Sequence, residues 1–289
     1  MQFKLASVLE RGAYVLGADG IYSAGLPEPN MEQQRELNLR REIADKHVGD
    51  YLTRIGHHHS IPVMDREVAR FLAKMSDGAL ILDVGGCWGW HWRRLAATRP
   101  DVGGIILDFV RANLLHARSM LGPLVGTQVA LIHADATSLP FADGIQPDDG
   151  FDGVWTVQVF QHIPNFTLAC REAHRVLRHG GTFSNFSLNA TPLSRAIHAL
   201  LRRPYHKEGL LPQGFLLNRA SDAQRVIIAD VFDGATTERF TECLFHPDLR
   251  LTFTGRSGSL LGRLDALLGG LPLVGRWIAR QRGFVAVKK

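Results

Sequence analysis

A short apolar run, Ile81-Leu82-Asp83-Val84, breaks at Gly85-Gly86-Cys87-Trp88-Gly89. Glycines at such a break let a ligand come close to the backbone, and a helix starting beyond them offers unpaired N–H groups to anionic or polar groups. The same residues without a ligand make a tight strand-to-helix turn. Asp108 ends the next apolar run. A carboxylate there can accept both hydroxyls of a ribose, or it can cap a helix. Asp135 ends a third run and is followed by Ala136. Its side chain can accept the exocyclic amine of an adenine, or bond its own backbone in a turn. Gln158 ends a fourth run, and His162 lies four residues beyond it. Histidine titrates near neutral pH, so His162 suits the removal of a proton from an acceptor group, unless it is a structural histidine at a helix entry.

Other conspicuous residues carry weaker chemistry. His57, His58 and His59 are consecutive, so their side chains diverge and rarely serve one metal, and no carboxylate stands at ligand spacing. No metal is expected; they line a pocket or sit in a solvated loop. Trp88, Trp90 and Trp92 crowd the glycine turn and either pack in the core or shield a ligand. Tyr205, His206 and Lys207 could contact an acidic or polar substrate. The leucine-rich segment Leu260–Ile278, interrupted by Arg263, Asp265 and Arg276, packs on the body of the protein, on a second subunit, or on a membrane as an amphipathic helix.

The elements that must hold these residues are legible from apolar runs. Runs at 79–84, 104–107, 129–132, 154–157 and 182–187 read as strands buried on both faces. Helical segments lie between them, at 61–72, 90–99, 110–120 and 165–179. The last has Phe166, Ala169, Cys170, Ala173, Val176 and Leu177 on one face, with Gly180-Gly181 as its stop. Residues 31–55 are charged and helix-prone, with apolar positions at Leu37, Ile43, Val48, Leu52 and Ile55. Strands alternating with helices imply a parallel sheet with right-handed crossovers. Residues 1–30 read as an irregular arm. Residues 191–220 are rich in proline and arginine and read as a lid. Residues 221–233 look helical, and strands are expected at 237–244, 249–254 and 283–287.

Taken in order, these motifs resemble the class I S-adenosylmethionine-dependent methyltransferases of the small-molecule type. The matching residues are the Asp83-Val84-Gly85 turn, Asp108, Asp135–Phe141, Phe151-Asp152-Gly153-Val154-Trp155, Gln161-His162-Ile163-Pro164 and Arg175–Gly181. The resemblance covers roughly residues 79–187. It implies an α/β fold: a Rossmann-like sheet with helices on both faces, an N-terminal helical cap and a lid insertion. It implies S-adenosyl-L-methionine as cofactor, with Gly85, Gly86 and Gly89 near its methionine and ribose and Asp83 supporting the turn. Asp108 would take the ribose hydroxyls and Phe109 would flank the adenine. Asp135 and Ala136 would read the adenine edge, and Gln158 would face the methionine portion and the acceptor. Cys87 departs from the pattern, which usually has glycine there. Either its φ is negative or cofactor affinity suffers.

Composition agrees with a folded enzyme. The chain has 289 residues, 45% hydrophobic and 21% charged, which excludes wholesale disorder, collagen and coiled coil. A net charge of +5 with dispersed basic residues gives no nucleic-acid stripe. Cys87, Cys170 and Cys243 form no C-x-x-C pair, no signal-like or membrane-spanning run is evident, and a cytoplasmic protein, as a monomer or a homodimer, is expected. The expected organisation is an arm and helical cap over 1–60, a cofactor-binding core over 61–190, a lid or substrate insertion over 191–235, and completing strands and helix over 236–289. The expected function is methyl transfer to a small-molecule, lipid-like or saccharide acceptor, at oxygen, with His162 as base and Gln158 beside it. The alternative is a non-catalytic protein that binds the cofactor or a partner.

Overall fold

The computed structural model describes residues 2–11, 13–26, 28–46, 51–141, 150–205, 209–211, 214–216, 222–234, 236–249 and 255–289. The chain opens with α1 (Gln2–Arg11), a hairpin of β1 (Tyr14–Leu16) and β2 (Tyr22–Ala24), and three helices, α2 (Met31–Lys46), α3 (Tyr51–His58) and α4 (Ile61–Leu72). A strand–helix alternation follows. It comprises β3 (Leu80–Val84), α5 (Leu95–Thr98), β4 (Gly103–Asp108), α6 (Arg111–Leu121), β5 (Val129–His133), β6 (Phe151–Val157), α7 (Phe166–Val176) and β7 (Leu177–Leu188). The last third holds α8 (Pro192–Leu200), a hairpin of β8 (Gly209–Leu211) and β9 (Gly214–Leu216), and α9 (Asp222–Val231). It continues with β10 (Thr237–Thr241), α10 (Gly255–Gly269), α11 (Pro272–Ile278) and β11 (Gln281–Val287).

Nine strands form one sheet in the order β1-β2-β5-β4-β3-β6-β7-β11-β10. From β2 to β7 neighbouring strands are parallel, and β11 runs antiparallel to both β7 and β10. β3 starts this alternation at the centre. β4 and β5 lie on one side of it, and β6 and β7 on the other. The order therefore reverses beside β3, and α/β sheets bind ligands beyond the carboxyl ends of strands at such a reversal.

Strand periodicity sorts the core into two layers. Leu80, Leu82 and Val84 face one layer, with Phe166, Ala169 and Phe232 from α7 and the end of α9. Ile81 faces the other, with Met64 and Phe71 of α4, Leu114 of α6 and Trp88, Trp90, Trp92 and Trp155. Helices thus cover both faces, as the alternation predicts.

Three local expectations are revised. Residues 1–30 are not an irregular arm: they hold α1 and a hairpin that widens the sheet, with Tyr22 and Ser23 pairing Ile132 and His133. α7 stops at Val176, not at Gly180-Gly181, because Leu177 already pairs with Phe151 and Arg178 reaches Asp152 at 2.7 Å. Sheet pairing outweighs helical periodicity there. Residues 90–99 divide into a 3-10 turn at Trp90–Trp92 and the single helical turn α5. The strand expected at 249–254 falls almost wholly outside the described residues, as do Val48, His206 and Lys207; Leu249 itself ends a 3-10 turn.

Candidate active site

The turn after β3 is built from constraints that admit few side chains. Gly85 has a φ of +70°, and a Cβ there would overlap the Val159 side chain. A Cβ at Gly86 would overlap the Asp83 carboxylate. Gly89, at φ +68°, is absent from the cleft wall, and a Cβ there would press on Leu121 and Ile106. It therefore shapes the start of the 3-10 turn and does not line the cleft. Asp83 also lies beneath the turn, buried, accepting Trp92 Nε1–H at 2.7 Å. Burial pushes its carboxyl up to about 7, against the Trp92 hydrogen bond and helped by the nearby Asp108 charge. Cys87 adopts a φ of +51°, so a non-glycine residue occupies a left-handed conformation here, at a cost of roughly 1–2 kcal/mol. Desolvation and the Asp108 carboxylate push its thiol pKa up, which keeps it a thiol and not a thiolate nucleophile.

Asp108 ends β4 and is buried. Its Oδ1 accepts Val110 N–H at 2.8 Å and Asn113 Nδ2–H at 3.2 Å, and its Oδ2 accepts Cys87 N–H at 3.0 Å. A carboxylate has about four acceptor positions, so one position at Oδ2 remains. Burial raises its pKa despite those donors. Asp135 ends the β5 segment with Oδ1 accepting both the N–H and the hydroxyl of Thr137, each at 2.8 Å. This is the local turn bond that its residue type allowed; no described residue bonds Oδ2.

Gln158 has the most informative geometry. Its φ is +57°, its N–H donates to Phe186 O at 2.7 Å, and its side-chain Nε2 is buried with no partner. A strained backbone and a buried donor without a partner, at a residue that lines a cleft, are the arrangement expected where a ligand supplies the acceptor.

These residues meet in one cleft of about 350 Å³. One half is walled by Gly85, Gly86, Asp108, Phe109, Asp135 and Ala136. The other half comes from α2, α3 and the 3-10 turn, through Glu36, Leu37, Arg40, Ile55, Trp90 and His91, with Gln158 and His162 between the halves. Trp88 Nε1–H donates to Asn113 Oδ1 at 3.2 Å, so the tryptophans both pack and wall the cleft. His58 and His59 line the cleft and His57 does not; His57 and His58 are both exposed. His59 Nδ1 lies 3.7 Å from the buried Glu242 carboxylate, which also accepts Ser60 N–H and pairs with Arg280.

His162 stands at the cleft between Gln161 and Glu36. The Gln161 amide is oriented by Leu188 N–H, which donates to its Oε1 at 2.7 Å. Its Nε2 is therefore left to donate to His162 Nε2 at 3.1 Å. That assigns the histidine proton to Nδ1, which lies 3.5 Å from Glu36 Oε1. Protonation of His162 requires release of the Gln161 bond, and the resulting imidazolium would be answered by Glu36.

Sequence reasoning missed Asn113, Glu36, Arg40 and His91. Arg40 Nε–H donates to Glu36 Oε1 at 2.7 Å across one helical turn, a pair that reads in sequence as an ordinary surface bridge. His91 is buried with neither ring nitrogen hydrogen-bonded, Nδ1 lying 4.0 Å from Asp83 Oδ2, and its pKa is well below normal, mainly through burial.

The methyltransferase domain family matches residues 82–184, the stretch that carries the turn, Asp108, Asp135 and Gln158. The chain carries a class I S-adenosylmethionine-dependent methyltransferase domain. A 24-methylenesterol C-methyltransferase 2 from Oryza sativa subsp. japonica is 28% identical over 141 residues, 48% of this chain and 37% of the relative. A ubiquinone/menaquinone biosynthesis C-methyltransferase from Hahella chejuensis is 29% identical over 106 residues, 36% of this chain and 41% of the relative. The methyltransferase domain thus spans well under two thirds of either relative. A chain of the Haloferax volcanii complex of the Trm112 methyltransferase activator with a methyltransferase shares the fold. Its TM-score is 0.56 at 17% identity, covering 88% of this chain and 97% of that one. Among the described residues no helix is long and apolar enough to cross a membrane.

The cleft suits the methyl donor of this class. It offers a glycine-lined approach at Gly85 and Gly86, a buried carboxylate with one open acceptor position at Asp108, and the unanswered Gln158 amide.

Proposed function

We propose that this methyltransferase holds S-adenosylmethionine against Gly85, Gly86, Asp108, Phe109, Asp135 and Ala136 and methylates a hydroxyl oxygen of a small, lipid-like or saccharide acceptor. The single observation that carries the reading is Gln158: a strained residue with a buried, unanswered donor between the two halves of one cleft. When bound, the cofactor supplies a methyl group already activated on a sulfonium, so the protein's task is positioning and proton removal. Asp108 Oδ2 would take one ribose hydroxyl without losing a protein contact, and a second hydroxyl would replace Asn113, its longest partner. Asp135 Oδ2 would accept the adenine amine. His162 takes the acceptor's proton at Nε2 in exchange for the Gln161 bond, and Glu36 stabilises the cation formed.

In the acceptor half Leu37, Ile43, Ile55 and Trp90 form an apolar wall beside Glu36, Arg40, His58, His59 and His91. That lining favours an apolar acceptor body carrying the hydroxyl. α2 and α3 supply this half, and β9 runs beside α2. Cys87, Cys170 and Cys243 are free thiols, which suits a reducing, cytoplasmic setting.

A second reading, methyl transfer to carbon, is favoured by the activities in the names of the rice and Hahella relatives. Incubation with a trideuteromethyl donor and a panel of apolar phenols, sterols, quinols and saccharides tests both, with the label located by NMR. Label on oxygen supports the first reading, and label on carbon replaces it with the second. Donor binding with no labelled product across the panel would make the chain a binding protein.

A further inference from the structure

The outer face of α10 and α11 is apolar and uncovered. α10 packs inward through Gly258, Leu261, Gly262 and the buried Asp265, beside α4. On its opposite side Leu260, Leu264 and Leu267 recur at helical spacing, and Leu271, Leu273 and Trp277 continue the stripe into α11. These are strongly exposed: Leu267 at 69%, Leu273 at 78% and Trp277 at 64%. α8 lies beside α11 and adds Leu200, 81% exposed. Soluble proteins rarely leave an apolar face of this extent bare without a partner for it.

Charge identifies the partner. Residues 192–205 and 255–280 contain one carboxylate, Asp265, which is buried and accepts the N–H groups of Glu242, Cys243 and Leu244. Their charges on the outside are all arginines. Arg256 and Arg263 flank the leucines on α10, Arg276 lies on α11, and Arg195, Arg202 and Arg203 lie along and just beyond α8. A second copy of the chain on this face would set arginine against arginine. A nucleic acid would answer the arginines but leave the leucines in water. Leucines and an interfacial tryptophan rimmed by arginines, of which Arg276 also lies 3.6 Å from Glu238, are matched by one kind of surface, apolar within and anionic outside.

We propose that the α8–α10–α11 face docks on the surface of an anionic lipid bilayer. The face is rooted at the carboxyl edge of the sheet, where the cleft opens. Asn189, just past β7, donates its N–H to Arg280 O at 2.7 Å and its Nδ2–H to Ala279 O at 3.0 Å. Docking lays the chain on the bilayer, and no described helix is long and apolar enough to cross it.

The test uses the whole protein and phosphatidylcholine vesicles with and without phosphatidylserine, in the absence of methyl donor. It is therefore independent of the catalytic reading. Trp277 is its own reporter, because Trp88, Trp90, Trp92 and Trp155 are buried. The expected result is co-sedimentation with phosphatidylserine vesicles, weakened by salt, with a blue shift of tryptophan emission. Arg256→Gln and Arg263→Gln should each weaken partition about fivefold, and the Leu267→Gln, Leu273→Gln pair should abolish the blue shift while the circular dichroism stays that of the parent. Absence of binding at low salt, or equal binding by all variants, would overturn the proposal. So would a dimer in sedimentation equilibrium that the leucine pair dissociates, since the face would then belong to a second copy.

Discussion

Replacing Asp108 with alanine separates the donor-binding account from a purely structural one. The carboxylate accepts three hydrogen bonds, from Cys87 N–H at 3.0 Å, Val110 N–H at 2.8 Å and Asn113 Nδ2–H at 3.2 Å. Removing it leaves two buried backbone donors in search of water, each costing roughly 1–3 kcal/mol. Relief of a buried charge offsets part of that. The variant should therefore fold with a stability loss on the order of 1–3 kcal/mol. A ribose hydroxyl bonded to a carboxylate contributes roughly 1.5–3 kcal/mol, or about ten- to a hundredfold in affinity. Calorimetric titration with S-adenosylmethionine, on protein shown by thermal melt to be folded, should give a Kd raised at least tenfold. Asp108→Asn should fall between parent and alanine, because it keeps an acceptor but presents an amide to Cys87 N–H or Val110 N–H. A folded Asp108→Ala protein that binds the donor within threefold of the parent would refute the assignment.

Other residues make separate claims. His162→Ala should lower kcat by roughly 10²–10⁴ while leaving donor affinity unchanged in the same titration; equal turnover of mutant and parent would remove it as base. Asp83 is held up to about 7 in the folded chain, above its unfolded value. Its contribution to stability is therefore full below about pH 4 and is lost as pH rises through about 7, by on the order of 1.4 kcal/mol per unit. Urea unfolding of Asp83→Asn across that window should lack this decline; parallel curves for mutant and parent would exclude it. Cys87→Gly relieves the φ of +51° but adds unfolded-chain entropy, so differential scanning calorimetry should find it about 0.5–1 kcal/mol more stable, with donor affinity equal or tighter. A lower melting temperature would show that the side chain fits its left-handed backbone without strain.

The half of the cleft proposed to hold the cofactor was legible because its residues end apolar runs. In a parallel sheet the carboxyl ends of β3, β4, β5 and β6 converge, so Gly85, Asp108, Asp135 and Gln158 had to meet once those runs were read as strands. The half proposed to hold the acceptor was not legible, because it is assembled from separate helices. Glu36 and Arg40 look like any i, i+4 pair on a charged helix, and only the packing of α2 over the strand ends turns them toward His162. His91 lies in a 3-10 turn within a stretch that reads as continuous helix. β1 and β2, three residues each, are too short to show a period, and their place in the sheet is decided by pairing with β5. At Cys87 the sequence left the sign of φ open, and the structure gives the positive value.

The central claim is that this cleft takes a sulfonium nucleotide, and titration of the parent protein tests it most directly. S-adenosylmethionine and S-adenosylhomocysteine should both bind with micromolar affinity in the calorimeter, while NAD should give no heat of binding. Binding of NAD, or no binding of either sulfur nucleotide to folded protein, would contradict the account.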